Sequence, residues 1–196
     1  MEQIPTQNLR SPVALLCFFL TAVLGLGLDL WTKNIAFDRL LISMHETDDG
    51  IVIPLSRTHQ FIPGWLHFHV TANQGAVFGK AQGFRWLFVI ASIGAIAFLL
   101  YLFLTSRPHR WYQFVLGLLL AGVLGNLYDR ARFGYVRDMI YALPDRTWPG
   151  TERELFPWIF NLADSYLCVG VFLMIVYMYL HKHERTPRDA SAAAPI

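Results

Sequence analysis

The chain has 196 residues, of which 55% are hydrophobic and only 15% charged, and its formal net charge is +2. That balance is too apolar for an ordinary soluble domain and selects the membrane class. With no long basic block, it also excludes nucleic acid as a partner.

A helix needs roughly 20 predominantly apolar residues to cross the hydrocarbon core of a bilayer. The first such run, Ser11 to Leu28, follows Arg10 and meets no small-residue cleavage site before Asp29, so it reads as a retained span rather than a removed signal. Residues 31–83 form the longest polar segment, with Pro54, Pro63, Gly64, Gly75 and Gly79 among short apolar stretches. Within it, Trp65 to Val70 is aromatic and β-branched between turn residues, which predicts extended structure and a small extramembrane β subdomain. Trp86 to Ser106 is the second span and Trp111 to Tyr128 the third; the short Arg107 to Arg110 turn makes them adjacent and antiparallel. The fourth, Phe156 to Leu180, is interrupted only by Asp164. Residues 184–196 are rich in Ala, Pro, Arg and Ser without apolar periodicity and are expected to be a disordered tail. Cys17 and Cys168 are isolated within spans and read as apolar packing. The expected architecture is an all-α membrane protein: one four-span domain over residues 1–183, with the β-rich segment between spans one and two.

Each crossing reverses the side of the membrane, so the end of span one, residues 31–83, the end of span three and the start of span four share a face. On it fall Asp29, Lys33, Asn73, Asn126, Asp129, Arg130, Asp138, Asn161 and Asp164. Counting about 20 residues back from Leu180 puts Asn161 near the hydrocarbon boundary and Asp164 at or just below it, a costly depth for an ionisable group. A bland role competes: Asn161 as N-cap with Asp164 at the third helical position, where a carboxylate suits the helix dipole. Asp129 lies at the C-terminal end of span three, where the dipole disfavours a negative charge, and needs a partner in Arg130 or Lys33. Asp29 and Lys33, four apart with the acid first, suit a structural ion pair. His67 and His69 lack a third ligand of clear spacing, so no metal is expected. With no nucleophile elbow, zinc-protease helix or phosphate-cradling loop in the chain, what remains is carboxylate chemistry without a cofactor.

Three strings, Asn73-Gln-Gly-Ala-Val-Phe-Gly79, Gly125-Asn-Leu-Tyr-Asp-Arg130 and Phe160-Asn-Leu-Ala-Asp164, resemble, in this order, the lipoprotein signal peptidase (signal peptidase II) family. Asp29-Leu-Trp-Thr-Lys33 and Val136-Arg-Asp-Met-Ile140 also resemble that family's blocks, so the likeness spans roughly residues 15–180. The resemblance implies an aspartyl endopeptidase of the bacterial inner membrane, with its site at the outer face. It would remove the signal peptide from a prolipoprotein just before a diacylglyceryl-modified cysteine, acting as a monomer among membrane lipids. By the same resemblance the catalytic pair is Asp138 and Asp164, with Asp129 the competitor for the first role. Asn126 and Asn161 would orient the aspartates or substrate, Asn73 and Arg130 would contact substrate, and Asp29, Lys33, Gly75 and Ala163 would support the site.

Residues 144–155 make the connection to span four longer than the family's usual one and read as an inserted surface loop. Only Arg10, Arg107, Arg110, Lys182, Arg185 and Arg188 of the 16 Lys and Arg fall on the supposed inner side, so charge does not support this orientation. The alternatives from other classes are a small proton-coupled carrier, whose acids would serve as a relay, and a scaffold whose acids merely cap helices.

Overall fold

The computed structural model describes residues 9, 11–48, 50–75 and 85–181; Gly79 and the expected tail at 184–196 lie outside them. Among the described residues four helices are long and apolar enough to cross a membrane: α1 (Pro12–Leu40), α2 (Arg85–Thr105), α3 (Arg110–Arg132) and α4 (Leu162–Leu180). Two sheets accompany them. One is the hairpin of β1 (Leu41–Glu46) and β2 (Val52–Ser56), and the other is antiparallel in the order β3 (His59–Ile62), β4 (Leu66–Asn73), β5 (Val136–Ala142), β6 (Ile159–Phe160).

The all-α expectation is therefore corrected to a mixed α/β fold. The β structure also extends beyond residues 31–83, because β5 and β6 come from the connection between α3 and α4. Strand β5, with its Val-x-x-Met-Ile apolar run, is buried over Val136–Met139 and occupies the middle of the sheet between β4 and β6.

Two helix boundaries also differ from the apolar runs. Helix α1 continues past Leu28 to Leu40, because Asp29 and Lys33 pair within it and no Pro or Gly interrupts it before the hairpin. Helix α4 starts at Leu162 rather than Phe156, because Asn161 caps it and the preceding Ile159–Phe160 pairs with β5.

Helix α3 is the central one: 56% of its most apolar window is buried, against 11% for α2 and for α4. It packs on α1, α2 and α4 through Val115, Leu116, Leu119 and Leu120, with Phe18 of α1 stacked on Phe103 of α2 beside them. Small residues allow the close crossings that lipid-embedded helices need. A Cβ at Gly117 would come within 2.5 Å of the Phe18 carbonyl oxygen, and one at Gly122 within 2.7 Å of that of Ala163. The outward faces keep large apolar side chains exposed, among them Val23, Ile90, Phe98, Phe172 and Ile175, as a lipid-facing surface requires. Ala36 and Phe37 of α1 pack with Val70, Tyr135 and Met139, tying the sheet to the helices.

Candidate active site

Asp138 lies in the middle of β5, opposite Thr71 of β4, and is 1% exposed. Asp164 is the third residue of α4, half-buried at its first turn. Strand β6 brings the two together: it pairs with β5 through Ile140 and Phe160, and the chain enters α4 immediately afterwards at Asn161.

Each carboxylate oxygen has its own donor. For Asp138, Asn161 Nδ2 donates to Oδ1 and Asn73 Nδ2 donates to Oδ2 at 3.0 Å. For Asp164, Asn126 Nδ2 donates to Oδ1 at 2.8 Å and the Asn161 backbone N–H donates to Oδ2 at 3.1 Å. Asn161 thus touches both aspartates, and its own Oδ1 accepts the Asp164 N–H in a reciprocal capping box. Asn73 is oriented by the Gly75 N–H, which donates to its Oδ1 at 3.0 Å and leaves the NH2 group for Asp138. Gly75 needs its φ of +91°, and a Cβ there would strike the Phe88 ring.

Burial pushes the Asp138 carboxyl up to about 7, and the neighbouring negative charge of Asp164 adds to the rise. Hydrogen bonds from Asn73 and Asn161 and the charge of Lys33 act in the opposite sense. Below about pH 7 the Asp138 carboxyl is therefore mostly a neutral acid that can donate a hydrogen bond.

Behind the pair lies a buried ionic cluster. Lys33, fully buried, places Nζ 2.8 Å from Asp29 Oδ2, 3.2 Å from Asp129 Oδ2 and 3.3 Å from Asn126 Oδ1. Asp129 also accepts from Arg137: Nε at 3.0 Å and Nη2 at 2.8 Å reach Oδ1, and the backbone N–H at 2.9 Å reaches Oδ2. Asp29 Oδ1 accepts the Ala163 N–H at 2.9 Å.

The structure thus gathers Asp138, Asp164, Asn73, Asn126 and Asn161 into one hydrogen-bonded group, with Asp29, Lys33, Asp129 and Ala163 directly behind it. The Asp29–Lys33 pair forms as expected, and so does the cap at Asn161, which coexists with the contact to Asp138. Asp129 takes Lys33 and Arg137 as partners rather than Arg130. Arg130 instead lays its guanidinium over Phe88, 4.9 Å from the ring centroid, within electrostatic reach of Asp164 and Asp138. Arg137 was not singled out from the sequence, although it immediately precedes Asp138. Asn34, which accepts from Arg137 Nη1, carried no signal. An apolar groove of about 450 Å³ lies elsewhere, between α1 and strands β3 and β4, lined by Trp31, Phe61, Phe68 and Met139 among others. Met139 lines it while Asp138, the adjacent residue on β5, points to the other face.

A bundle of four membrane-length helices that holds two aspartates linked through Asn161 at one end, where a sheet meets a helix N-terminus, defines a multi-pass membrane protein with a paired-carboxylate site. The model of the family described as Signal peptidase (SPase) II matches residues 21–180. The lipoprotein signal peptidase of Enterococcus faecalis is 33% identical over 167 residues, covering 85% of this chain and 89% of that protein. The one from Halothermothrix orenii is 40% identical over 114 residues, 57% of this chain and 70% of its own. A solved structure described as a bacterial membrane enzyme, obtained by the in meso method at 2.3 Å, superposes with a TM-score of 0.67 at 29% identity, over 87% of this chain and 92% of that one. The chain belongs to the signal peptidase II family and is a membrane-spanning peptidase.

Proposed function

We propose that the chain is an aspartyl endopeptidase that removes signal peptides from bacterial prolipoproteins, cutting just before a cysteine that already carries a diacylglyceryl group. The observation that carries this reading is the pairing of Asp138 and Asp164 through Asn161, with Asp138 held as an acid by burial and by its neighbour's charge.

Two close carboxyls favour opposite protonation states, which is what hydrolysis without a metal needs. Asp164, at the N-terminal end of α4 where the helix dipole favours an anion, is the base that takes a proton from the attacking water. Asp138 is the acid that hydrogen-bonds the scissile carbonyl oxygen as negative charge develops on it. The tetrahedral intermediate then collapses with scission of the C–N bond, and the proton held by Asp164 passes to the departing amine of the cysteine. Asn126 and Asn161 fix the two carboxyls, and Asn73 and Arg130 face the substrate. The enzyme sits in the inner membrane with this site at the outer face, where lipid-modified substrates arrive laterally.

The test is cleavage of a diacylglyceryl-modified prolipoprotein by purified protein in detergent, beside an unlipidated control. Wild-type protein should cut only the lipidated substrate, and Asp138→Asn and Asp164→Asn should each lose at least about a thousandfold in rate while remaining folded. Cleavage retained by either variant removes that residue from the pair.

A further inference from the structure

The ionic cluster behind the aspartates has a connectivity that a simple ion pair does not explain. Lys33 Nζ donates to Asp29 Oδ2 and Asn126 Oδ1 and forms an ion pair with Asp129 Oδ2, so one ammonium meets three oxygens. Each acceptor residue passes the constraint on to the site. Asp29 holds the backbone N–H of Ala163, the residue before Asp164. Asp129 holds the backbone N–H of Arg137, the residue before Asp138. Asn126, whose Oδ1 is occupied by Lys33 and by Asn161 Nδ2, must turn its NH2 group toward Asp164 Oδ1.

One ammonium on α1 therefore reaches both aspartates through α3, α4 and β5, by two backbone anchors and one side-chain amide. Lys33 is 0% exposed, as are Asp29 and Asp129, so these contacts are not traded for water. A cation used only to neutralise Asp29 would need neither Asp129 nor Asn126.

We infer that Lys33 is a positioning residue for the catalytic pair: a single buried hub that sets the separation and orientation of Asp138 and Asp164 through Asp29, Asp129 and Asn126. This rests on the aspartyl reading of the site. Its geometric demand is a point cation. The flat guanidinium of arginine spreads its donors over a fork and does not put one nitrogen among three acceptors.

The experiment uses two variants of the full-length protein. Lys33→Arg keeps the buried charge. Lys33→Met combined with Asp29→Asn removes one charge of each sign, so the cluster keeps its balance without the hub. Both are purified in detergent, checked by thermal unfolding, and assayed on the lipidated prolipoprotein for kcat and KM separately. The expected result is a fall in kcat of about tenfold to a hundredfold in each folded variant, with KM within about twofold of wild type. A role confined to folding would move the unfolding temperature and leave kcat per folded molecule near wild type. That outcome in either variant, or failure of both to accumulate as folded protein, overturns the assignment and leaves Lys33 a folding residue. Asp138→Asn and Asp164→Asn in the same assay separate the two failures. If they cleave, the aspartyl reading falls; if they are inactive while the Lys33 variants turn over normally, only the hub falls.

Discussion

The side-chain amide of Asn161 donates to the carboxylate of Asp138, 23 residues earlier in the chain, while its carbonyl oxygen accepts the N–H of Asp164. A helix cap and a link between two acids are thus made by one side chain, and the two roles have different costs. Loss of an N-cap destabilises by about 1–2 kcal/mol. Misplacement of a reacting group by about 1 Å costs on the order of a hundredfold in rate. Asn161→Ala should therefore lower the unfolding temperature modestly and cut kcat by about a hundredfold. Thermal unfolding and single-turnover cleavage on the same preparation check this; a variant whose activity falls only in proportion to its folded fraction would reduce Asn161 to a cap.

The raised carboxyl of Asp138 fixes the direction of the pH dependence. Its ordinary value is 3.8 and in the fold it rises to about 7, so the folded protein binds a proton that the unfolded chain releases between those values. The corresponding stability is complete below pH 3.8 and is lost as pH rises through 7. The rate should follow the same acid, with kcat/KM falling on the alkaline side of about pH 7. Asn73 donates to this carboxylate and so favours its charged form. Asn73→Ala removes that donor, raises the carboxyl further and should move the alkaline limb to higher pH. A full pH–rate profile of both proteins measures it, and an unmoved or acid-shifted limb in the variant would falsify the role given to Asn73.

What was readable in advance followed from chemistry local in sequence. Three uncharged runs of membrane length and a fourth broken only by Asp164 located four spans, and the i, i+4 spacing of Asp29 and Lys33 gave their pair. The Asn161–Asp164 spacing gave the capping box. What escaped was non-local. That β5 joins β4 depends on a pairing such as Thr71 with Asp138, 67 positions away, and no periodicity in Val136–Ala142 announces which strand it will meet. For the same reason, of the two partners expected for Asp129, Lys33 and Arg130, only Lys33 pairs with it. The turn after α3 instead returns Arg137 to it, and Arg130 leaves for Phe88. Helix starts were misplaced where a cap overrode hydropathy, as at Phe156 against Leu162.

Arg137 has a role distinct from its backbone. Its guanidinium gives two hydrogen bonds to Asp129 and lies 4.5 Å from the centroid of Phe133, whereas its N–H holds Asp129 independently of the side chain. Breaking a buried ion pair by deleting one partner costs about 3–5 kcal/mol. Arg137→Leu should destabilise by that order, yet leave kcat per folded molecule within a few fold, because the backbone anchor and the Lys33 contact persist. Chemical or thermal unfolding in detergent, with activity normalised to folded protein, tests both halves; an unchanged unfolding temperature would contradict the first.

Gly125 marks the point where α1, α3 and α4 meet most closely behind the site. A Cβ there would collide with Asp29 Oδ2 and come within 3.1 Å of that carboxyl carbon and 3.2 Å of the Ala163 Cβ. Asp29 is not free to retreat, because Lys33 holds the struck oxygen and the Ala163 N–H holds the other. Gly125→Ala should thus cost about 1–3 kcal/mol through overpacking, despite alanine's better helix propensity, and should also lower kcat by displacing Ala163 and with it Asp164. Gly94 of α2 is the control: nothing lies within 4 Å of a Cβ there, so Gly94→Ala should leave activity unchanged and stability equal or slightly higher. If the two substitutions behave alike, the tight crossing at Gly125 is not what holds the aspartate in place.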